Sequence, residues 1–230
     1  MVDCIIFDFD GTLADTNKGI VATYQETCRI MGIEVPSVER VTSTIGLALK
    51  DGFMAGIDGL TEEKAEEAMA IYRRIFDVIA IPEIKIFPGI KEALDQLKAK
   101  GIRLAIATSR SHRSLGILAE KIGIKDYFEG MYGAEDVVNH KPAPDLALLV
   151  LEKLGVDAKD ALVVGDATYD LLMGKGAGCK VCGVTWGNQN RQQLETADPD
   201  FVIDDIRDLF ELPVLAKAIQ PAPYKNLSFV

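Results

Sequence analysis

The sequence is poor in histidine and cysteine, and it contains no long hydrophobic run. Its 230 residues include two histidines, four cysteines and one tryptophan. Cys179 and Cys182 are closely spaced, but His112 and His140 lie far from them in sequence, so a zinc or thioredoxin-like site is not indicated. We expect the cysteines to be buried structural residues, because a free thiol behaves as a small apolar side chain. No stretch approaches the roughly 20 consecutive apolar residues of a membrane span.

Basic residues are also too few to balance the acidic ones, and the formal net charge is −10. This excess of negative charge argues against nucleic acid or an anionic membrane as a partner, because both attract clustered lysine and arginine. It still allows a small anionic substrate, since local cations and a bound metal can reverse the sign of charge inside a site. The first residues already have strand character and show no signal-peptide pattern, which predicts a cytoplasmic protein.

Short apolar runs alternate with helical patterns along most of the chain. This alternation predicts an α/β fold with a mainly parallel sheet flanked by helices. The apolar runs are Ile5–Phe7, Leu104–Ala107, Leu162–Val164, Val181–Val184 and Phe201–Ile203. One helical pattern begins at Pro88-Gly89 and ends at Gly101, and a second covers Pro142–Leu154 with Gly155 as its end. We expect the tail, 213–230, to pack against the core.

A long segment between the first two of these runs has helical character only. Asn17–Met31 and Thr61–Ile79 carry apolar residues at helical spacing, and the second begins with a glutamate-rich turn. We therefore expect a small helical domain over 15–86, inserted into a core domain made of 1–14 and 87–230.

Two aspartates follow the first apolar run. Residues two apart on an extended segment point to the same side, so the carboxylates of Asp8 and Asp10 converge beyond the end of the strand. Such a pair is electrostatically expensive unless a divalent cation, a phosphate or a shared proton lies between the two groups.

Further polar residues lie at or after the ends of other strand-like runs or just before a helix. Because groups at the carboxyl ends of parallel strands converge on one crevice, we expect these residues to form one site. The set is Asp8, Asp10, Thr108, Lys141, Asp166 and Asp170. Oxygen ligands without histidine or cysteine suit Mg²⁺, and a lysine and a hydroxyl can hold a phosphoryl group.

The motifs in this set resemble those of the haloacid dehalogenase superfamily, in its phosphatase branch. They occur in the family's order: Asp8-Phe-Asp10-Gly-Thr12, Thr108, Lys141-Pro-Ala-Pro144 and Gly165-Asp166-Ala-Thr-Tyr-Asp170. The resemblance is closest to phosphoglycolate-phosphatase-like proteins. It implies a Rossmann-like core with a small helical cap over 15–86, and a small phosphorylated metabolite as the substrate.

The resemblance also implies a role for each aspartate. Asp8 is expected to attack phosphorus and to give an oxygen to Mg²⁺. Asp10 is expected to act as general acid and then general base, with its backbone carbonyl on the metal. Asp166 is expected to bind Mg²⁺ directly, and Asp170 to support the ion directly or through water, although Asp170 could instead be a helix N-terminal carboxylate.

The remaining implied roles concern the phosphoryl group. Thr108 is expected to hydrogen-bond it, with Ser109 beside Thr108 at the substrate, and Lys141 to neutralise the charge that it shares with Asp8. Arg110, together with His112 and Arg113, is expected to be a solvated loop residue.

Several alternatives are weighed against a phosphatase. Asp10 argues against the dehalogenase branch, because cleavage of a carbon–halogen bond needs no proton for the leaving group. The absence of histidine from residues 11–31 disfavours a sugar phosphomutase, whereas pyrophosphatase activity stays open. A catalytically silent binding protein is disfavoured because Asp8, Asp10 and Asp166 are all present. The oligomeric state is left as monomer or homodimer.

Overall fold

The computed structural model of the chain describes residues 2–215. In this range the strands are β1 (Cys4–Phe7), β2 (Ala14–Asp15), β3 (Lys85–Ile86), β4 (Arg103–Ala107), β5 (Gly130–Tyr132), β6 (Ala161–Gly165), β7 (Lys180–Val184) and β8 (Phe201–Ile203). The helices are α1 (Asn17–Met31), α2 (Val38–Thr42), α3 (Leu49–Gly56), α4 (Glu62–Ile79), α5 (Ile90–Ala99), α6 (His112–Lys121), α7 (Asp145–Leu154), α8 (Thr168–Gly176) and α9 (Arg191–Glu195). The predicted α/β class is confirmed.

Six strands form a parallel sheet in the order β5-β4-β1-β6-β7-β8. Every residue of β1 and β6 is buried. Side chains alternate between the two faces, so Ile5 and Phe7 belong to one apolar cluster while Cys4 and Ile6 belong to another. An apolar layer thus covers each face of the sheet, as the burial of parallel sheets between helices requires.

The register of the sheet aligns the ends of its three central strands. Phe7 at the end of β1 pairs with Ile106 of β4 on one side and with Val164 of β6 on the other. The residues that follow these positions therefore emerge at the same edge. β1 lies at the centre, where the strand order reverses, and such switch points open a crevice beyond the carboxyl ends of the strands.

The segment between β2 and β3 contains helices α1 to α4. β2 and β3 pair with each other in antiparallel orientation, so the chain enters and leaves this segment through a two-stranded ribbon. Inside the segment four side chains form an aromatic column. Tyr24 stacks on Phe53 at 4.2 Å between ring centroids, Phe53 meets Tyr72 at 5.9 Å, and Tyr72 meets Phe76 at 5.5 Å.

Some elements differ from the sequence-based predictions. The two-residue strands β2 and β3 lie in the stretch predicted to have no strand, and β5 was not predicted. Helix α7 begins at Asp145 rather than at Pro142, because residues 142–144 form a turn. Val2 donates a hydrogen bond of 3.0 Å to Val214 in the tail, whereas residues 216–230 lie outside the described range.

Two predictions from the composition concern cysteine and membranes. All four cysteines are free and buried, as predicted. Among residues 2–215, no helix combines the length and the apolar character that crossing a membrane demands.

Candidate active site

The aligned strand ends bring a cluster of carboxylates together. Asp8 follows β1 and Asp166 follows β6, while Asp170 lies in the first turn of α8. One carboxylate oxygen from each of the three lies within 4.8 Å of the others, and all three side chains are buried. Asp170 also accepts a hydrogen bond of 3.1 Å from the Ala167 backbone, so it caps the helix and belongs to the cluster at once.

Lys141 enters this cluster from the loop before α7. Its ammonium nitrogen lies 2.6 Å from Asp8 Oδ1 and 2.6 Å from Asp170 Oδ1, and its side chain is fully buried. Burial alone would lower the pKa of Lys141, but Asp170 and Asp8 outweigh that effect and raise it. Lys141 is therefore a permanent cation. The pKa of Asp8 is nevertheless raised well above its usual range, mainly by burial, against which Lys141 acts.

Asp166 is held by donors from two other segments. The Thr12 hydroxyl donates to Oδ1 at 2.9 Å, and Asn188 donates to Oδ2 from its backbone N–H at 2.7 Å and its side-chain amide at 2.8 Å. Burial and the charge of Asp170 raise the pKa of Asp166 to about 7, although these donors lower it. A Cβ at Gly187 would overlap Asp166, so this close approach requires glycine.

Asp10 is not part of the carboxylate cluster and forms an ion pair with Arg110. The guanidinium donates to both carboxylate oxygens, with Nε 2.6 Å from Oδ2 and Nη2 2.6 Å from Oδ1. The two side chains are 12% and 9% exposed. The prediction that Arg110 is a solvated loop residue is wrong, because the pairing with Asp10 draws it into the site. His112 and Arg113 are about half and two-thirds exposed, as predicted, but they form the start of α6 and do not lie in a loop.

These charges indicate what the site can hold. When all four carboxylates of the described part of the site (Asp8, Asp10, Asp166 and Asp170) are ionised, they exceed the two cations, Lys141 and Arg110, by two negative charges. A buried excess of this kind is unfavourable unless a cation offsets it. The cluster of Asp8, Asp166 and Asp170 fits a hard divalent ion such as Mg²⁺, which prefers carboxylate oxygens. The Asp10 carboxylate stands outside that cluster.

A cavity of about 350 Å³ opens above the carboxylates. Asp8, Asp10 and Thr108 line it from the sheet side, and the helical segment lines the other side with residues of α4 and of the loop before α3. The Ser109 hydroxyl donates a hydrogen bond of 2.6 Å to the Gly46 carbonyl of that loop. Ser109 thus lines the cavity, and its hydroxyl binds the helical segment.

Comparison with known proteins identifies this architecture. The family model described as haloacid dehalogenase-like hydrolase matches residues 5–184. The chain belongs to this family. The predicted resemblance is confirmed, and the chain is an enzyme of the phosphatase group of the family.

Curated relatives and solved structures support this placement. Pyrophosphatase PpaX of Bacillus velezensis is 32% identical over 92% of this chain and 96% of its own length. Phosphoglycolate phosphatase of Escherichia coli is 32% identical over 92% of this chain and 91% of its own length. The crystal structure of a predicted phosphatase from Clostridium acetobutylicum is 26% identical, covers 92% of this chain and 97% of that chain, and has a TM-score of 0.85.

In this haloacid dehalogenase-like hydrolase, the sequence-based prediction missed three residues of the site: Arg110, Thr12 and Asn188. Arg110 lies two residues after Thr108, in the same loop after β4. The convergence of residues at the carboxyl ends of parallel strands, which predicted Thr108, therefore applied to Arg110 as well. Thr12 lies within the first motif but was given no role. Asn188 follows β7, and its role depends on contacts that no local pattern reveals.

Proposed function

We propose that the chain is a Mg²⁺-dependent phosphatase that hydrolyses a small phosphomonoester, of the phosphoglycolate or sugar phosphate kind, through an aspartyl-phosphate. The contact of Lys141 with both Asp8 and Asp170, next to Asp166, is the observation that carries this proposal. An anionic nucleophile can approach an anionic phosphate only where fixed positive charge offsets their repulsion.

The chemistry is divided between the two aspartates of the first motif. The Asp8 carboxylate attacks phosphorus, the bond to the leaving oxygen breaks, and that oxygen takes a proton from Asp10. Asp10 then takes a proton from water as the water oxygen attacks the aspartyl-phosphate, which releases phosphate and restores Asp8. The guanidinium of Arg110 donates to both oxygens of Asp10 in the structure, so Asp10 exchanges this bidentate pairing for the leaving oxygen during the cycle.

Other residues hold the reacting groups. Asp8, Asp166 and Asp170 would hold Mg²⁺, with the Asp10 backbone carbonyl as a further ligand, and the ion would supply positive charge to the phosphoryl oxygens. Lys141 neutralises charge shared by Asp8 and the phosphoryl group. Thr108, buried at the cavity wall, donates its hydroxyl to a phosphoryl oxygen.

We also propose that residues 15–86 act as a cap domain over a core made of 1–14 and 87–230. The ribbon of β2 and β3 supports this division, because both connections pass through it side by side. The hydrogen bond from Ser109 to Gly46 and the cavity between the two parts fit a cap that screens the substrate from water.

A phosphate-release assay with Mg²⁺ on wild type and on Asp8→Asn tests the proposal. We expect the substitution to reduce kcat by at least about a thousandfold, because it removes the nucleophile at nearly unchanged volume. Asp157→Asn is the matched control, since Asp157 is three-quarters exposed and precedes β6 at the opposite edge of the sheet. Turnover by Asp8→Asn close to that of wild type would contradict the mechanism.

A panel of phosphoglycolate, sugar phosphates, nucleotides and pyrophosphate would identify the substrate. Pyrophosphate is the second candidate, because a relative at 32% identity is named a pyrophosphatase. A hexose 1-phosphate belongs in the panel too. Formation of the 6-phosphate in place of free phosphate would identify a mutase, and no turnover of any compound would favour a silent binding protein.

A further inference from the structure

Arg110 is held rigidly at the wall of the cavity. Its guanidinium donates to both oxygens of Asp10 and, through Nη1, to the Ser114 hydroxyl at 2.7 Å. Its Cζ atom lies 5.0 Å from the Phe76 ring centroid and 5.9 Å from that of Phe9. Arginine fixed in this way loses little conformational freedom when it binds a ligand, which favours recognition of an anion.

The position of Arg110 places it next to the reacting groups. Its backbone N–H lies 3.4 Å from the Thr108 hydroxyl, and its side chain contacts Asp10. Arg110 therefore lines the same part of the cavity as Thr108 and Asp10. Three other cationic side chains line the cavity, and one of them, Arg73, is exposed at its surface. Lys50 pairs with Glu62 and Glu66, and Arg113 pairs with Asp77. Arg110 is more deeply buried than any of these three.

The partner that Arg110 holds now indicates which chemistry it can recognise. A planar guanidinium binds carboxylate and phosphate groups through two parallel hydrogen bonds, and the Asp10 carboxylate already occupies it in that manner. A carboxylate or phosphate on the substrate, a few bonds from the phosphoryl group that Thr108 binds, likewise offers two negatively charged acceptor oxygens. It can therefore take the place of Asp10 on the guanidinium.

We propose that Arg110 is a specificity residue that binds a second anionic group of the substrate and, by exchanging it for the Asp10 carboxylate, frees Asp10 to approach the leaving oxygen. This inference rests on the proposed phosphatase function. It narrows the substrate to small phosphomonoesters that carry a further carboxylate or phosphate group. Esters with a neutral group at that position leave Asp10 bound to Arg110.

A matched pair of substrates tests this inference. Phosphoglycolate carries a carboxylate where 2-hydroxyethyl phosphate, of similar size, carries a hydroxyl. We expect wild type to prefer phosphoglycolate, and Arg110→Gln to reduce the ratio of the two kcat/KM values by about ten- to a hundredfold, the effect of losing a charged hydrogen-bonded pair. Arg110→Lys should retain part of the preference, because the charge stays but the planar fork is lost.

The ratio separates recognition from a structural role, since misplacement of Asp10 or partial unfolding would slow both esters alike. Arg29→Gln, at an exposed arginine that pairs with Glu26 on α1, is the control of equal charge and should leave the ratio unchanged. A ratio in Arg110→Gln within threefold of wild type would overturn the inference.

A binding measurement keeps this test independent of turnover. In an Asp8→Asn background, calorimetry with Mg²⁺ should show tighter binding of phosphoglycolate than of 2-hydroxyethyl phosphate, and Arg110→Gln should abolish the difference. Equal affinity for the two compounds in the Asp8→Asn protein would overturn the role of Arg110. Absence of turnover in wild type together with selective binding would instead contradict the proposed catalysis and leave Arg110 as the anion-binding residue.

Discussion

Asn17 donates a hydrogen bond of 2.7 Å to the side-chain oxygen of Asn188. Asn17 is the first residue of α1 in the helical segment, and Asn188 follows β7 of the sheet. The amide nitrogen of Asn188 in turn donates to Asp166. Two side-chain hydrogen bonds therefore connect the start of the proposed cap to a proposed metal ligand.

Asn188→Ala should weaken Mg²⁺ activation. Removal of the amide takes one of three donors from Asp166 and leaves its orientation less restricted. Groups that orient a metal ligand typically contribute ten- to a hundredfold in affinity, so we expect the half-saturating Mg²⁺ concentration to rise by about tenfold. Activity measured against Mg²⁺ concentration checks this. Asn17→Ala, one hydrogen bond further away, should change the half-saturating Mg²⁺ concentration by less than Asn188→Ala does. An equal or larger effect would contradict a connection from Asn17 through Asn188 to Asp166.

Lys141→Met should destabilise the fold and abolish activity. The substitution keeps much of the side-chain volume but leaves Asp8 and Asp170 buried without their cation. Loss of one partner from a buried ion pair costs about 3–5 kcal/mol of unfolding free energy, which urea denaturation would measure. Adding Asp170→Asn to Lys141→Met should recover part of the lost unfolding free energy, because it removes one of the two buried carboxylates that lack a cation. A Lys141→Met protein as stable as wild type would contradict a stabilising role for this buried ion pair.

Removal of divalent metal should lower the melting temperature. Binding of Mg²⁺ to the native state alone stabilises it by about 2.7 kcal/mol at a hundred times the dissociation constant, or roughly 5 °C or more for a chain of this size. Asp166→Asn should raise the melting temperature in EDTA, because it removes one of the crowded negative charges, and should abolish the increase caused by Mg²⁺. Scanning fluorimetry with and without Mg²⁺ measures both effects, and an undiminished Mg²⁺ shift in the variant would rule out Asp166 as a ligand.

Two glycine substitutions should have opposite effects. A Cβ at Gly165 would overlap the Asp170 side chain, so Gly165→Ala should displace a cluster residue and lower both stability and activity. A Cβ at Gly116 in α6 meets no atom within 4 Å, and alanine favours helix by about 1 kcal/mol over glycine. Gly116→Ala should therefore stabilise the protein and leave its kinetics unchanged. Thermal unfolding and steady-state assays compare the pair.

The native protein should react slowly with thiol reagents at pH 8. Burial raises the pKa of Cys28 and Cys179 to about 11, and that of Cys4 and Cys182 to about 12. Raised pKa values leave little thiolate at pH 8, and thiolate is the reactive form. A titration with Ellman's reagent should detect four thiols in denaturant and fewer than one in the folded protein within minutes. Rapid labelling of the folded protein would contradict the burial of these residues.

The fold was predictable from the sequence where one element carries its own signal. β1 and β6 are continuous apolar runs at the centre of the sheet, and their burial follows from their composition. β5 is an edge strand of three residues, including a glycine, and it forms because it pairs with β4. Helix α3 contains Gly52 and Gly56, both unfavourable in helices, so its packing against α4 decides its structure.

The site was predictable to the extent that strand ends define it. Asp8, Thr108 and Asp166 each follow a strand of the sheet, and the common edge of these strands explains their convergence. The partner of Arg110 could not be predicted in the same way. Asp10 and Arg110 are one hundred residues apart in sequence, and their pairing depends on side-chain orientations that the strand pattern leaves undetermined.

The ribbon of β2 and β3 has a consequence for how such an enzyme diversifies. The two ends of the 15–86 segment lie side by side, and the ribbon begins only four residues after Asp10. A replacement segment of different length or shape could be grafted at this junction without changing the path of the sheet. A different segment at this junction would change the wall of the cavity that faces the sheet, while Asp8, Thr108 and Asp166 would keep their places at the strand ends.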